Sequence, residues 1–109
     1  MSAPLFVTAL NDAFRRTFMG GRVLLTAGIT SLSETHQVEI MQAVQSFESF
    51  TADNDPYGEH DFGRIDHPVA GRIFWKIDYY DRSMEQGSDD PADPTKTVRV
   101  LTIMLASEY

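Results

Sequence analysis

The sequence contains no cysteine, so it can form neither disulfide bonds nor cysteine-ligated zinc sites, and this suits a reducing compartment. No apolar run approaches the length of about 18 residues that a membrane-spanning helix needs. The apolar run at residues 3–10 has no Lys or Arg before it and ends at Asn11 and Asp12, unlike a secretory signal. We therefore expect a cytoplasmic protein without membrane contact.

Positive charge is scarce in one part of the chain. The net charge is −7, and residues 51–93 alone hold 11 acids against four bases, while the remaining residues are balanced. Direct binding of nucleic acid is disfavoured, because phosphates are bound by clustered Lys and Arg. A basic protein surface, or a cation, is the better class of partner. The acidic face that we predict consists of Asp53, Asp55, Glu59, Asp61, Asp78, Asp81, Glu85, Asp89, Asp90 and Asp93.

Two amphipathic helices are predicted in the first half of the chain. The first begins near Ser2-Ala3-Pro4 and ends at Gly20-Gly21. Its predicted core-facing stripe is Phe6, Leu10, Phe14 and Phe18. The second begins at Ser31 or Ser33, either of which has the position of an N-cap, and runs to about Phe47. Its predicted inward residues are Ile40, Met41, Val44 and Phe47.

Four strands complete the prediction. Residues 22–30 read as a strand covered on both faces, and residues 62–81 read as a hairpin that turns at His67–Gly71. In the second strand of the hairpin, Ile73, Trp75, Ile77 and Tyr79 are predicted to share one face. Residues 82–96 form a mobile acidic loop, and the last strand follows it with two apolar faces, as expected at the centre of a sheet. The result is one α+β domain, residues 1–109, in the order α-β-α-β-β-β. Both helices pack on one face of a mostly antiparallel four-stranded sheet.

The stretch NDPYGEHDFG, residues 54–63, carries the densest group of reactive side chains. An EF-hand is excluded, because the loop counted from Asp53 has Arg64 where the bidentate Glu should stand. Three interpretations stay open. A divalent metal could bind at Glu59, His60, Asp61 and Asp78, or His60 could exchange protons with a substrate. Alternatively, the stretch could be a rigid corner whose turns are capped by the side chains of Asn54 and Asp55. We expect no bound cofactor unless the metal interpretation holds.

Several stretches resemble a bacterial family, the domain-of-unknown-function family numbered 3768. They are NDPYGEHDFG, KIDYYD, RVLTIMLASEY, LNDAFRR and GGRVLLTAGI. The family is similar to small proteins of plasmids and integrative elements in alpha-class proteobacteria. The resemblance implies a cytoplasmic accessory protein of mobile DNA, a setting associated with anti-restriction and anti-CRISPR genes. It implies no established activity, so it assigns no catalytic residue.

Three functional hypotheses follow. The first is an acidic binding protein that docks on a basic, nucleic-acid-binding protein and inhibits it, without catalysis. The second is a metal-assisted hydrolase at the Glu59, His60 and Asp61 corner. The third is an accessory protein that forms a homodimer or larger homo-oligomer through its hairpin edge. We favour the first, because the negative charge is confined to one segment.

Overall fold

The structure, a computed structural model, describes the backbone of residues 3–109 and the side chains of residues 6–109. The predicted helix start at Ser2 lies outside these residues. The elements in chain order are α1 (Ala3–Thr17), β1 (Arg22–Leu25), α2 (Ala27–Thr30), α3 (Glu34–Gln45), β2 (Phe62–His67), β3 (Gly71–Tyr80) and β4 (Val98–Leu105). A 3₁₀ turn, Ala106–Glu108, follows β4. No helix within residues 3–109 is long and apolar enough to cross a membrane.

The four strands form one mixed sheet in the order β1-β4-β3-β2. β4 is antiparallel to β3, β3 is antiparallel to β2, and β1 lies parallel to β4. The predicted fold class is confirmed, including the central position of the last strand. Within residues 3–109, three α-helices rather than two accompany the sheet, so the prediction missed α2.

The hydrophobic core lies between the helices and one face of the sheet. Trp75 and its neighbours on β3 and β4 meet Phe14 of α1, Ile29 of α2 and two residues of α3. The alternation along β3 predicts that Ile73, Trp75 and Ile77 share one face of the strand. All three are buried, so this is the face that packs on the core. Burial of this apolar surface is the main force that holds the helices against the sheet.

The predicted core-facing stripe of α1 is only partly correct. Phe14 is buried, but Phe6 is 46% exposed, and Leu10 and Phe18 are half-buried. The buried face instead contains Val7, Asn11, Phe14 and Arg15, of which Asn11 and Arg15 are fully buried. The helix therefore turns a partly polar face to the protein interior.

The predicted strand over residues 22–30 is too long, and only one of its faces is covered. β1 ends at Leu25, and Leu24 is 52% exposed on the face that no helix covers. The chain leaves the sheet because Glu108 accepts hydrogen bonds from the Thr26 hydroxyl at 2.6 Å and the Gly28 amide at 3.0 Å. These bonds hold the start of α2 against the end of β4.

The second predicted helix and the hairpin are confirmed with small shifts. Ser33, rather than Ser31, caps α3, because its hydroxyl accepts a hydrogen bond from the His36 amide at 3.2 Å. The hairpin turn is held by the His67 ring, and Gly71 takes a positive φ of 78° that suits glycine.

Candidate functional site

Residues 54–61 form a tight corner at the end of the sheet where β2 begins and β3 ends. The chain turns at Gly58, which has a φ of 65°, and again at His60, which has a φ of 56°. The Asp55 carboxylate accepts a hydrogen bond from the His60 amide at 3.2 Å. Its side chain is only 6% exposed. Asp55 thus builds the corner, as the rigid-corner interpretation predicts.

The His60 ring packs against α1 rather than facing solvent freely. Its Nδ1 atom lies 2.9 Å from Oδ1 of Asp12. The ring stacks on Phe50 with centroids 3.8 Å apart and planes 3° from parallel. Asp12 also accepts a hydrogen bond from Arg15 at 2.9 Å. His60 is therefore held on two sides, which fixes the corner to the helix.

A buried polar network lies directly beneath the corner. Asn11 of α1 donates to the Tyr79 hydroxyl at 2.8 Å and to the Glu59 carbonyl at 3.0 Å. It accepts from the Arg99 Nε atom at 2.8 Å. The Tyr79 hydroxyl in turn donates to the Glu59 carboxylate at 3.1 Å. One fully buried amide thus joins α1, β3, β4 and the corner.

Arg99 extends this network to the acidic loop. Its guanidinium donates to the carbonyl of Pro91 and lies 5.2 Å from the centre of the Tyr79 ring. Desolvation by burial lowers the pKa of Arg99. Segments 53–61 and 81–93 therefore meet at the same end of the sheet, and together they are called the acidic end below.

A second buried arginine fixes α1 to the end of α3. The Arg15 side chain donates to the carbonyl oxygens of Val44 at 3.2 Å and Phe47 at 3.0 Å. Its guanidinium carbon lies 5.3 Å from the Phe50 ring centre. Burial lowers the pKa of Arg15, while the Asp12 carboxylate opposes that shift. Sequence reasoning missed both Asn11 and Arg15, although the four-residue spacing from Val7 through Asn11 to Arg15 could have placed them on one helix face.

Burial, and after it the neighbouring carboxylates, alters the protonation of two groups at the corner. Burial, together with the neighbouring Glu59 carboxylate, raises the pKa of Asp61 from 3.8 to about 6. Burial also raises the pKa of the Tyr79 phenol. Tyr79 therefore remains a neutral hydrogen-bond donor at physiological pH.

The raised pKa of Asp61 predicts a pH-dependent stability. Between pH 3.8 and about 6 the folded state keeps a proton that the unfolded chain has lost, so stability falls as the pH rises through this window. Asp61→Asn should therefore raise the free energy of unfolding at pH 7 by roughly 1 kcal/mol, after allowance for solvent screening. Below pH 3.8 the gain should vanish.

Urea denaturation of the wild type and the Asp61→Asn variant from pH 3.5 to 7.5 would measure this dependence. Asp89→Asn is the matched control, because Asp89 is exposed. An equal gain from both substitutions would show that general charge repulsion, rather than the setting of Asp61, is responsible. A gain from Asp61→Asn that does not depend on pH would contradict the prediction.

The acidic loop is held by its own carboxylates. Asp81 accepts from the Ser83 hydroxyl and the Glu85 amide, Asp90 from the Ala92 amide, and Asp93 from the amide and hydroxyl of Thr95. The Ser83 hydroxyl lowers the pKa of Asp81, and the Thr95 hydroxyl lowers the pKa of Asp93. Asp81, Asp90 and Asp93 therefore hold the loop together, whereas the carboxylates of Glu85 and Asp89 are exposed and make no hydrogen bond within residues 6–109.

The predicted metal ligands are not brought together. Asp78 lies on the sheet face opposite to Tyr79 and pairs with Lys76 at 3.1 Å. It is therefore separated from Glu59, which Tyr79 contacts. Among residues 6–109, the four predicted ligands do not form a group with ligand atoms close enough to share one ion.

A different group of possible ligands lies between α3 and the end of β2. Glu39 Oε1 lies 2.8 Å from His36 Nδ1 and 3.0 Å from His67 Nε2. The His67 Nδ1 atom already accepts the amides of Val69 and Ala70, so its single proton is on Nε2 and points at Glu39. A metal at Nε2 would require that proton to move to Nδ1, against two N–H donors. The geometry favours a hydrogen-bonded trio over a metal site, and the two imidazole bonds, that of His36 first, lower the pKa of Glu39.

Comparison with known proteins identifies one family. The family model described as "Protein of unknown function (DUF3768)" matches residues 25–108. The match begins at the end of β1, so it leaves α1 and its LNDAFRR stretch outside. No curated protein and no solved structure shows a significant match.

Proposed function

Because the chain belongs to the DUF3768 family of unknown function, we propose from its own surface that it is a binding protein whose acidic end docks on a basic protein. The target that fits best is a nucleic-acid-binding protein of host defence or DNA transfer. The acidic end would cover the Lys and Arg residues that such a protein uses to hold phosphates. Binding would therefore inhibit the target by competition, without catalysis.

The observation that carries this proposal is the convergence of two acidic segments at one end of the sheet. The Arg99–Asn11 contact joins them, since Arg99 also bonds Pro91 and Asn11 bonds Glu59. Within residues 6–109, no carboxylate of the acidic end makes an ion pair with Lys or Arg, and only Asp55 pairs with a histidine, His60. The carboxylates without any ion pair are Asp53, Glu59, Asp61, Asp81, Glu85, Asp89, Asp90 and Asp93. Their charge is therefore available to a partner.

The same surface is organised before a partner arrives. The Asp81, Asp90 and Asp93 carboxylates bond within their own loop, and Ser88 bonds Thr97 at 2.7 Å. A loop held in this way loses less conformational entropy when it binds. Complementary charge also speeds the encounter and makes it sensitive to salt. Both properties suit a protein that must capture its target quickly.

Neutralising the acidic loop should weaken the inhibition. The variant Glu85→Gln, Asp89→Asn, Asp90→Asn, Asp93→Asn removes four charges. Asn still offers the oxygen that bonds Ala92 and Thr95, so the caps of the loop are kept. At low salt we expect the association rate with a basic target to fall by about tenfold or more.

The assay would use purified nucleic-acid-binding proteins, among them a restriction endonuclease and an RNA-guided nuclease, and would follow DNA cleavage and displacement of fluorescent DNA. The matched control is Glu34→Gln, Glu48→Gln, Asp66→Asn, Asp78→Asn, which removes equal charge outside the acidic end. Asp78 was predicted to belong to the acidic face, but it lies on the sheet face opposite to Tyr79 and pairs with Lys76, so it is not part of the acidic end. An equal loss of inhibition in both variants would show that net charge alone, and not the acidic end, is responsible. If the wild type displaces no DNA from any target at low salt, the proposal fails.

A further inference from the structure

β2 forms one edge of the sheet, so only every second residue directs its backbone amide and carbonyl groups toward another strand. The Ile77 amide bonds the Asp61 carbonyl at 2.8 Å, so the paired positions at Gly63 and Ile65 also direct their amide and carbonyl groups toward β3. Phe62, Arg64 and Asp66, which alternate with them, must therefore direct these groups outward. Along this part of the described chain, no hydrogen bond is made by the outward groups.

A groove runs beside this free edge. It has a volume of about 430 Å³, and the strand wall, at Phe62, Gly63 and Arg64, faces a wall formed by residues 47–54. The second wall has its own hydrogen bonds, because the Asn54 side chain bonds the Thr51 amide at 2.9 Å and the Ser49 carbonyl at 3.1 Å. Residues 47–54 therefore hold their shape without hydrogen bonds to the outward backbone groups of β2.

An unsatisfied donor lies behind the strand wall. The Trp75 indole nitrogen is buried, and it is the one buried side-chain polar atom in residues 6–109 that lacks a hydrogen-bond partner. A Cβ atom at Gly63 would stand 2.4 Å from this nitrogen, so the indole packs directly against the backbone of Gly63, and Gly63 lines the groove. Buried donors are nearly always paired, and this exception needs an explanation.

We propose that the groove binds an extended peptide, which adds a fifth strand to the sheet at β2. The peptide backbone would pair with the outward groups of Phe62 and Arg64. A peptide residue opposite Gly63 would carry a side chain that ends in a carboxylate or carboxamide oxygen. Cross-strand Cβ atoms lie about 5 Å apart, so such a side chain can reach the indole N–H.

A single strand fits this groove better than a second copy of the protein. The groove volume of about 430 Å³ suits a short extended segment, whereas a second folded copy paired at β2 would bring its own residues 47–54 toward the same space. The next side chain of the peptide would lie on the opposite sheet face. There it would meet the exposed Arg64 and the ring cluster of Phe62, Phe74 and Tyr109. We expect an acidic or aromatic residue at that position.

Selection from a displayed library of random ten-residue peptides, followed by synthesis of the selected sequences, tests the proposal. We expect peptides that bind with dissociation constants below about 100 μM and share an acceptor residue. The chain has one tryptophan, so the single indole N–H resonance reports the groove directly. It should shift and gain protection from hydrogen exchange when peptide binds. If no peptide is selected, or if the indole resonance does not move, the inference is wrong.

The backbone pairing has its own test. N-methylation of a selected peptide should abolish binding at alternate residues only, because every second amide faces β2. Arg64→Pro should also abolish it, since proline removes an outward N–H while the bonds to β3 remain. Arg64→Ala, which keeps the N–H, should change affinity by less than about tenfold. Binding that tolerates methylation at every position would overturn strand addition, even if Arg64→Pro failed to fold.

The groove shares Asp53 with the acidic end but includes no residue of the acidic loop, so neutralising that loop tests the two proposals separately. The variant with Glu85, Asp89, Asp90 and Asp93 neutralised should bind the selected peptides like the wild type, because none of these residues lines the groove. Unchanged peptide binding together with lost inhibition would show that inhibition needs the acidic loop and that peptide binding does not. Loss of peptide binding in that variant would contradict the proposal that the groove binds the peptide.

Discussion

Arg15→Met should lower the free energy of unfolding by about 3–5 kcal/mol, the usual cost of leaving a buried ion pair without one partner. The substitution nearly keeps the volume of the side chain, but it removes the three nitrogen atoms that donate to Val44, Phe47 and Asp12. The carbonyl oxygens of Val44 and Phe47 would remain buried without a donor, and Asp12 would keep only His60. Because domains of this size have total stabilities of about 5–15 kcal/mol, much of the population would unfold on mild heating.

Arg16→Met is the natural control for urea denaturation of this variant. Arg16 is the next residue of the same helix, but its side chain is 51% exposed and pairs with an exposed Glu48. Its replacement should cost no more than about 1 kcal/mol. Similar losses of unfolding free energy for Arg15→Met and Arg16→Met would contradict the prediction, because they would show that the buried contacts of Arg15 add little to stability.

Gly63→Ala should destabilise the protein by about 1–3 kcal/mol or more, through overpacking of the core. The added methyl group would lie 2.4 Å from the Trp75 indole nitrogen and 2.6 Å from the adjoining ring carbon. Phe47 and Phe50 hold the indole on its other sides, with ring centres 5.5 and 6.1 Å away, so it has little room to move. For a domain of about 100 residues, this loss lowers the melting temperature by roughly 4–8 °C per kcal/mol.

Two comparisons make this result specific. Gly87→Ala should be nearly neutral, because a Cβ there would meet its nearest atom at 3.8 Å. Trp75→Phe will itself destabilise the protein, but in that background Gly63→Ala should cost less, because the smaller ring frees space behind β2. Additive losses in this double-mutant cycle would place the strain somewhere other than the indole.

The parts of the fold that were predicted correctly depend on local patterns. The β3 alternation of Ile73, Trp75 and Ile77 identified the strand and its inner face. The Ser33 cap follows from the same kind of short-range signal. Each pattern requires only neighbouring residues, so the sequence itself contains the information.

The missed features depend on contacts between distant residues. Asn11 and Arg15 are polar, and they are buried because partners 29 to 88 residues away satisfy them. β1 is shorter than predicted because Glu108, about 80 residues later, bonds Thr26 and Gly28. Helical and strand periodicity cannot reveal such partners, since it records polarity along the chain and not pairing in space.

The candidate site was anticipated in part for the same reason. Composition located the acidic segments, and turn chemistry predicted that Asp55 builds the corner. Alternation along β3 could have warned that Asp78 and the corner lie on different sheet faces, because Asp78 and Tyr79 are adjacent. The burial of Arg99, which connects the two acidic segments, had no sequence signal, because it depends on Asn11 from α1.

The parallel pairing of β1 with β4 has a consequence for synthesis of the protein. β1 is made before the other three strands, but within residues 3–109 its one neighbour in the sheet is β4, about 75 residues later in the chain. During translation α1 and β1 must wait beside an incomplete sheet, with the apolar residues of their inner faces uncovered. Non-local pairing of this kind slows folding and prolongs exposure to aggregation. The ribosome must therefore release β4 before β1 can reach its final position in the sheet.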